Sequence, residues 1–159
     1  MSDNFKLQPI QNWLKKNNWF FYDHQLETLN QSINGYDILL IAPTGGGKTL
    51  AGFLPSLHDL INNNSPENKL HTLYISPLKA LTIDVHRNLT NPIEDQNLDI
   101  RVETRTGDTS SYKKKRQKNV PPHMLMTTPE SLALLLADIK AKEYFKSLRY
   151  LIIDEIHSL

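Results

Sequence analysis

Cysteine is absent from the 159 residues. Disulfides, iron–sulfur clusters and thiolate zinc sites are thereby excluded, and the absence fits a reducing cytosol. Long apolar runs are lacking as well. The longest, Leu132–Ala137, has six residues, against about 20 for a membrane-crossing helix. The polar start, Met1–Ile10, has no apolar stretch of the kind a secretory leader carries. Nor is there an excess of one charge. Lys plus Arg number 18 and Asp plus Glu 17, so no global field attracts a polyanion, and nucleic-acid binding would rest on a local patch. The histidines His24, His58, His71, His86 and His123 show no metal-ligand spacing. These absences lead to the expectation of a soluble, cytoplasmic protein. Glycine is scarce too, six in all, yet three of the six stand together. What is present suffices for a core: 39% hydrophobic against 22% charged residues excludes wholesale disorder, and the length corresponds to one domain.

Residues 5–34 read as helical, with Trp13, Leu14, Leu26, Leu29 and Ile33 as candidate core positions and a break at Asn17-Asn18. Asn34-Gly35 signals a turn. The apolar run Asp37–Ala42 predicts a strand buried on both faces. A helix follows from Lys48 to Ile61. The alternation then repeats: strand Leu70–Ser76, helix Leu78–Leu89, strand Leu98–Thr104, a polar and basic stretch to Asn119, strand His123–Thr127, helix Pro129–Asp138 and strand Arg149–Asp154. Strands alternating with helices predict an α/β fold with a mostly parallel sheet. Right-handed crossovers bring the C-terminal strand ends to one edge, where ligands bind in such sheets.

The strongest motif is Ala42-Pro43-Thr44-Gly45-Gly46-Gly47-Lys48-Thr49, between a predicted strand and a predicted helix. That is the context of a Walker A phosphate loop, although the strict pattern opens with Gly where this chain has Ala42. Glycines let successive backbone N–H groups point at phosphate oxygens, and the following helix start adds partial positive charge. Thr44, Gly45, Gly46 and Gly47 would form the cradle. Lys48 would reach the β- and γ-phosphates of ATP, and the Thr49 hydroxyl would bind Mg2+. At the far end, Leu151-Ile152-Ile153 leads into Asp154-Glu155. In a phosphate-loop protein this is where the Mg2+-organising Asp154 belongs, with Glu155 placed to orient and deprotonate the attacking water.

The chain resembles the superfamily 2 DExH-box helicases. Asp154-Glu155-Ile156-His157 looks like a DExH box, Ser76-Pro77-Leu78-Lys79-Ala80-Leu81 like motif Ia, Arg105-Thr106-Gly107-Asp108-Thr109 like the TGD element, and Thr127-Thr128-Pro129-Glu130-Ser131-Leu132 like motif Ib. The wording of these segments is similar to the large helicase-related (Lhr) and ligase-associated group. The resemblance runs from about Trp19 to Leu159. It implies a RecA-like P-loop NTPase domain over 36–159 behind a helical lead-in over 1–35. It implies ATP and Mg2+ as cofactors, a DNA or RNA strand as partner (DNA favoured), and DNA repair as the setting. Upstream, Trp19–Gln25 is similar to the adenine-reading Q motif. Gln25 would bond the adenine edge and Tyr22 would pack on the ring; Gln25 lies 23 residues before Lys48.

The same resemblance assigns strand contacts to Ser76, Pro77, Lys79, Arg105, Thr106, Gly107, Thr127, Thr128 and Pro129, and a coupling role to His157. Thr128 suits an N-cap and Pro129 the first helical position. Lys113-Lys114-Lys115-Arg116-Gln117-Lys118 is the one dense basic run, readable as a strand attractor or as a solvated face. These helicases continue into motif III and a second RecA-like domain, which the chain does not contain. The expectation is therefore a truncated product whose sheet is incomplete at the C-terminus, because the motif III strand lies between the P-loop and DExH strands. Without the second domain's arginine fingers, phosphoryl transfer slows by about 10³–10⁵, so little turnover is expected of the chain alone. Three readings compete: the ATP-binding half of a helicase, a nucleotide- and strand-binding module without turnover, and a non-helicase P-loop kinase or ATPase.

Overall fold

Breaks and caps decide where the first helices lie. A computed structural model describes residues 7–43, 45–63 and 67–158. Helix α1 (Gln8–Lys16) starts with Pro9 in its first turn and ends before Asn17-Asn18. Asn18 takes φ +57°, and the Trp19 N–H returns to the Leu14 carbonyl at 2.8 Å. The expected break therefore falls where two asparagines accept left-handed and bridging geometry at low cost. Helix α2 (Asp23–Ile33) begins where the Tyr22 N–H donates to Gln25 Oε1 at 2.9 Å. Helix α3 (Lys48–Asn62) follows the glycine loop and buries Ala51, Phe53, Leu54, Leu57 and Leu60. It packs on α2. Of the core candidates in this region, Leu14 and Leu29 are buried, Trp13 and Leu26 half-buried, and Ile33 exposed.

The chain forms two compact units. The first contains α1, α2, the glycine loop, α3 and Asn91–Leu98; the second contains the segment before it up to Thr90 and everything from Asp99 onward. The second holds a four-stranded, all-parallel sheet: β1 (Thr72–Ile75), β2 (Val102–Arg105), β3 (Met124–Thr127) and β4 (Tyr150–Ile153), in the order β2-β3-β1-β4. Its crossover helices are α4 (Lys79–Asp95), α5 (Ser111–Asn119), and α6 (Pro129–Leu136) with α7 (Ala141–Tyr144). The central strands β1 and β3 are buried at every position, as unbroken apolar runs in a parallel sheet should be. Leu70, Leu73, Ile75, Leu125 and Leu135 form the core of this unit, with Leu132, Phe145 and Leu148 packed against it.

One expected strand is corrected. Asp37–Ala42 is not a strand; it is irregular chain, with Leu39 74% and Ile41 86% exposed. A strand requires a hydrogen-bonded neighbour, and among the described residues none pairs with this run. On the sheet itself, β4 pairs among the described residues only with β1 and leaves Leu151 and Ile153 half-exposed. The basic stretch that carried no predicted element is a helix, α5. No helix among the described residues is long and apolar enough to cross a membrane.

Candidate nucleotide and strand sites

The phosphate-loop geometry is set by its glycines and by α2. Gly45 and Gly47 hold φ +80° and +70°, and the Gly46 N–H bonds the Pro43 carbonyl at 3.1 Å. Gly47 is the N-cap of α3. A Cβ there would lie 2.5 Å from Gln25 Nε2 and 3.2 Å from the Tyr22 ring, so only glycine fits. Gln25 is buried. Its Oε1 accepts the Tyr22 N–H, and its Nε2 donates to the Gly47 carbonyl at 3.1 Å. The residue expected to read adenine thus also fastens the loop to α2. Tyr22 is half-exposed and stacks on His24, with centroids 5.5 Å apart and planes 11° apart. The Lys48 ammonium donates to the Ala42 carbonyl at 2.6 Å, and Thr49 is half-buried in the first turn of α3. Thr44 lies outside the described residues.

The sheet gathers the remaining motifs. Ile75 is in register with both Thr127 and Ile153, and Arg105 with Thr127. The four strands therefore end in one row. The TGD turn, motif Ib, motif Ia and the acidic pair leave the same edge in that order. At its end, Asp154 Oδ2 accepts the Tyr74 hydroxyl at 2.8 Å and Oδ1 accepts the Glu155 N–H at 2.9 Å. Burial first, then the bond to Asp154, pushes the Tyr74 pKa well above its ordinary value. Tyr74 thus remains a donor throughout the physiological range. Sequence reasoning passed over it. The available signal was a tyrosine inside a fully buried strand, since a buried phenol needs a partner. Glu155 adopts φ +49°, an uncommon conformation for a side chain of this type. Its Oε2 lies 3.3 Å from His157 Nε2, and its carbonyl accepts the Ser158 N–H, closing a 3-10 turn over Ile156–Ser158. A strained backbone at a strand end is a common mark of a functional position.

The strand-contact candidates divide by exposure. Lys79 and Gly107 are exposed and Pro77 and Pro129 half-exposed. Lys79, the first residue of α4, is ion-paired with Asp108 of the TGD turn. Ser76, Thr106, Thr127 and Thr128 are buried. Ser76 Oγ accepts the Leu78 N–H, Thr106 N–H donates to Thr109 Oγ1, and Thr127 Oγ1 donates to the Arg105 carbonyl. The side chains of Ser76 and Thr127 hold their turns, and that of Thr109 holds the backbone of Thr106. Thr128 and Pro129 occupy the N-cap and first turn of α6 as expected, but Thr128 makes no side-chain bond to the backbone; its hydroxyl lies 3.4 Å from Ser131 Oγ. The expectation for Arg105 needs correction. It is buried, and its Nη1 donates to the Lys114 carbonyl at 2.9 Å and to Gln117 Oε1 at 3.4 Å. Burial lowers its pKa. Arg105 anchors α5 and offers no free guanidinium to a phosphate.

The sequence profile of the DEAD/DEAH box helicases matches residues 22–159, and the chain belongs to that family. It is 38% identical over 165 residues to the ATP-dependent helicase Lhr-Core of Methanocaldococcus jannaschii, an alignment covering 96% of this chain and 20% of that protein. Among solved structures it is similar to the Mycobacterium smegmatis helicase Lhr bound to single-stranded DNA and AMP-PNP. There the TM-score is 0.83 and the identity 35%, over 99% of this chain and 21% of the other. It is also similar to helicase MrfA bound to DNA and AMPPNP, with a TM-score of 0.84 and 29% identity over 99% of this chain and 22% of that one. The chain thus spans about a fifth of the length of these relatives.

Proposed function

We propose that the chain is the ATP-binding and strand-binding part of an ATP-dependent helicase or translocase that acts on nucleic acid, with DNA as the favoured strand, DNA repair as its setting and the cytoplasm as its compartment. The observation that carries this reading is the row of strand ends, from which four helicase-like motifs leave one sheet edge. A kinase or small-molecule ATPase has no use for three of them.

In this reading Gly45–Gly47 and the start of α3 receive the phosphates on backbone N–H groups. Lys48 transfers its ammonium from the Ala42 carbonyl to the β- and γ-phosphates. Gln25 keeps the loop in place and has one further amide hydrogen for the adenine edge. The Thr49 hydroxyl and the Asp154 carboxylate are each hard oxygen donors of the kind Mg2+ prefers, and each would be a ligand for it. Bound Mg2+ would supply neutralisation of the developing phosphate charge. Tyr74 and the Glu155 N–H fix the Asp154 carboxylate. Glu155 takes the proton of the attacking water, and His157 beside it senses that change. The exposed helix starts at Lys79 and Pro129 and the turn at Gly107 meet strand phosphates.

Single-strand-stimulated ATP hydrolysis by the full-length protein tests the reading. Turnover should require a strand, and Glu155→Gln should keep Mg2+–ATP binding while losing turnover. Hydrolysis indifferent to DNA and RNA would support a P-loop ATPase of another kind.

A further inference from the structure

Helix α5 plays no part in the reading above, and its composition is unusual for an element packed on a sheet. In Ser111–Asn119 the one buried residue is Gln117. Apolar burial therefore does not hold it. A polar network does. Gln117 Nε2 donates to Glu103 Oε2 at 2.9 Å and to the Thr104 carbonyl at 3.0 Å, Arg116 donates to Glu103 at 2.6 Å, and Arg105 reaches both Lys114 and Gln117. Each of these bonds is directional, so the network fixes the rotation of the helix about its axis more tightly than apolar contacts would.

That rotation decides what faces out. At about 100° per residue, Tyr112 and Lys115 lie roughly opposite Gln117. They stand three positions apart, neighbours on one helical face. Tyr112 is 80% exposed. Four of the basic side chains of α5 are otherwise divided between two conditions. Lys114 donates to the Gly107 carbonyl and Lys118 is ion-paired with Asp138. Lys113 and Lys115 have no ion pair or side-chain hydrogen bond among the described residues; Lys113 lies about 40° from Gln117 on the inner side, so Lys115 is the uncommitted cation of the outward face. An exposed ring beside an uncommitted cation is the composition of a single-strand platform: the cation neutralises a phosphate, and the ring stacks on a base of any sequence. With a net charge of only +1 on the chain, such a local patch is where the attraction must come from. The patch is also continuous with the proposed strand path. Helix α5 starts directly after the TGD turn, whose Asp108 pairs with Lys79 and whose Gly107 is bonded by Lys114.

We infer that the outward face of α5, Tyr112 with Lys115, is an additional binding surface for a single nucleic-acid strand leaving the TGD turn. Glu103, with the buried Arg105 and Gln117, acts as its positioning group. The inference rests on the strand-binding reading and extends it to residues outside the helicase-like motifs.

The test is titration of a labelled single-stranded oligonucleotide with the full-length protein at several salt concentrations. Tyr112→Ala should weaken binding about 5- to 150-fold, the range for removal of one base stack, and Tyr112→Phe should retain affinity. Lys115→Ala should lower the slope of log affinity against log salt by about 0.7 for the phosphate no longer neutralised, and Lys115→Arg should retain it. ATP affinity should stay unchanged throughout. Wild-type binding with both Ala variants indistinguishable from it overturns this inference alone. No strand binding by the wild type overturns the strand-binding reading and this inference with it.

Discussion

At Gly47 three requirements coincide: a left-handed φ of +70°, the N-cap of α3, and the Gln25 amide where a Cβ would stand. Gln25 is held at both ends of its amide, so it has no slack to give. Gly47→Ala should therefore displace the loop and weaken Mg2+–ATP binding by at least about tenfold, since 1.4 kcal/mol suffices for that factor. Gly45 has a similar φ but nothing within 4 Å of its Cβ position, so Gly45→Ala should cost only the backbone strain, about 1 kcal/mol. Calorimetric titration of both variants separates loop displacement from strain. Tyr74→Phe removes the hydroxyl donor to a carboxylate, a bond worth about 1.5–3 kcal/mol. Denaturant unfolding should report a loss of that size, and unchanged stability would mean that Asp154 is fixed without it. The two kinds of residue differ in legibility for a physical reason. Lys48 and Asp154 announce themselves through local sequence chemistry. Tyr74 acquires its role from a partner 80 residues away that only the parallel register of β1 and β4 brings close.

Among the elements, the starts of the expected helices were readable to within a few residues because caps, prolines and asparagine breaks are local signals, though α4 runs six residues past its expected end at Leu89. The strands of the second unit were equally readable as apolar runs before turn chemistry. Three elements were not, the short α7 (Ala141–Tyr144) being one, with no helix expected there. The run Asp37–Ala42 has the composition of a buried strand, yet hydrophobicity does not supply a neighbour, and the pairing is what makes a strand. Helix α5 has almost no apolar face, so periodicity had nothing to detect; its anchors, Glu103 and Arg105, lie on another element. Gln117→Ala should accordingly destabilise the fold by about 1–3 kcal/mol, the cost of leaving buried partners unmet. A pH dependence belongs at this scale too. His123 is buried just before β3, and its Nδ1 accepts the Arg101 N–H at 3.0 Å. Burial first, then the Arg101 charge and His71, hold its pKa below the ordinary 6.5, while Asp99 opposes them. The unfolded chain then binds more protons than the folded one as pH falls through 6.5, so stability declines with acidification across the window below that value. His58 is lowered as well, chiefly by burial, so His123→Gln should shrink the slope of Tm against pH between about 7.5 and 5.5 without abolishing it. A flat wild-type profile would contradict the assignment.

Across the whole molecule, each unit leaves apolar chain uncovered: Leu39 and Ile41 in the first, Leu151 and Ile153 on the edge strand of the second. Uncovered strand edges of this kind promote association. Ile153→Lys should therefore raise the soluble monomer fraction in sedimentation without altering nucleotide binding. The family was legible because its motifs are short, ordered and tied to chemistry. The set of groups that touch a strand was less so, because exposure is decided by packing: Ser76, Thr127 and Arg105 carry helicase-like wording but are enclosed. In the proposed function Lys48 and its loop bind the phosphates of Mg2+–ATP. Thermal unfolding with and without Mg2+–ATP, run on the wild type beside Lys48→Ala, tests it most directly. At 100 times its Kd the nucleotide should add about 2.7 kcal/mol to the wild type and nothing to Lys48→Ala, whose own transition should remain cooperative. An equal nucleotide shift in both proteins, or none in the wild type, would contradict the account.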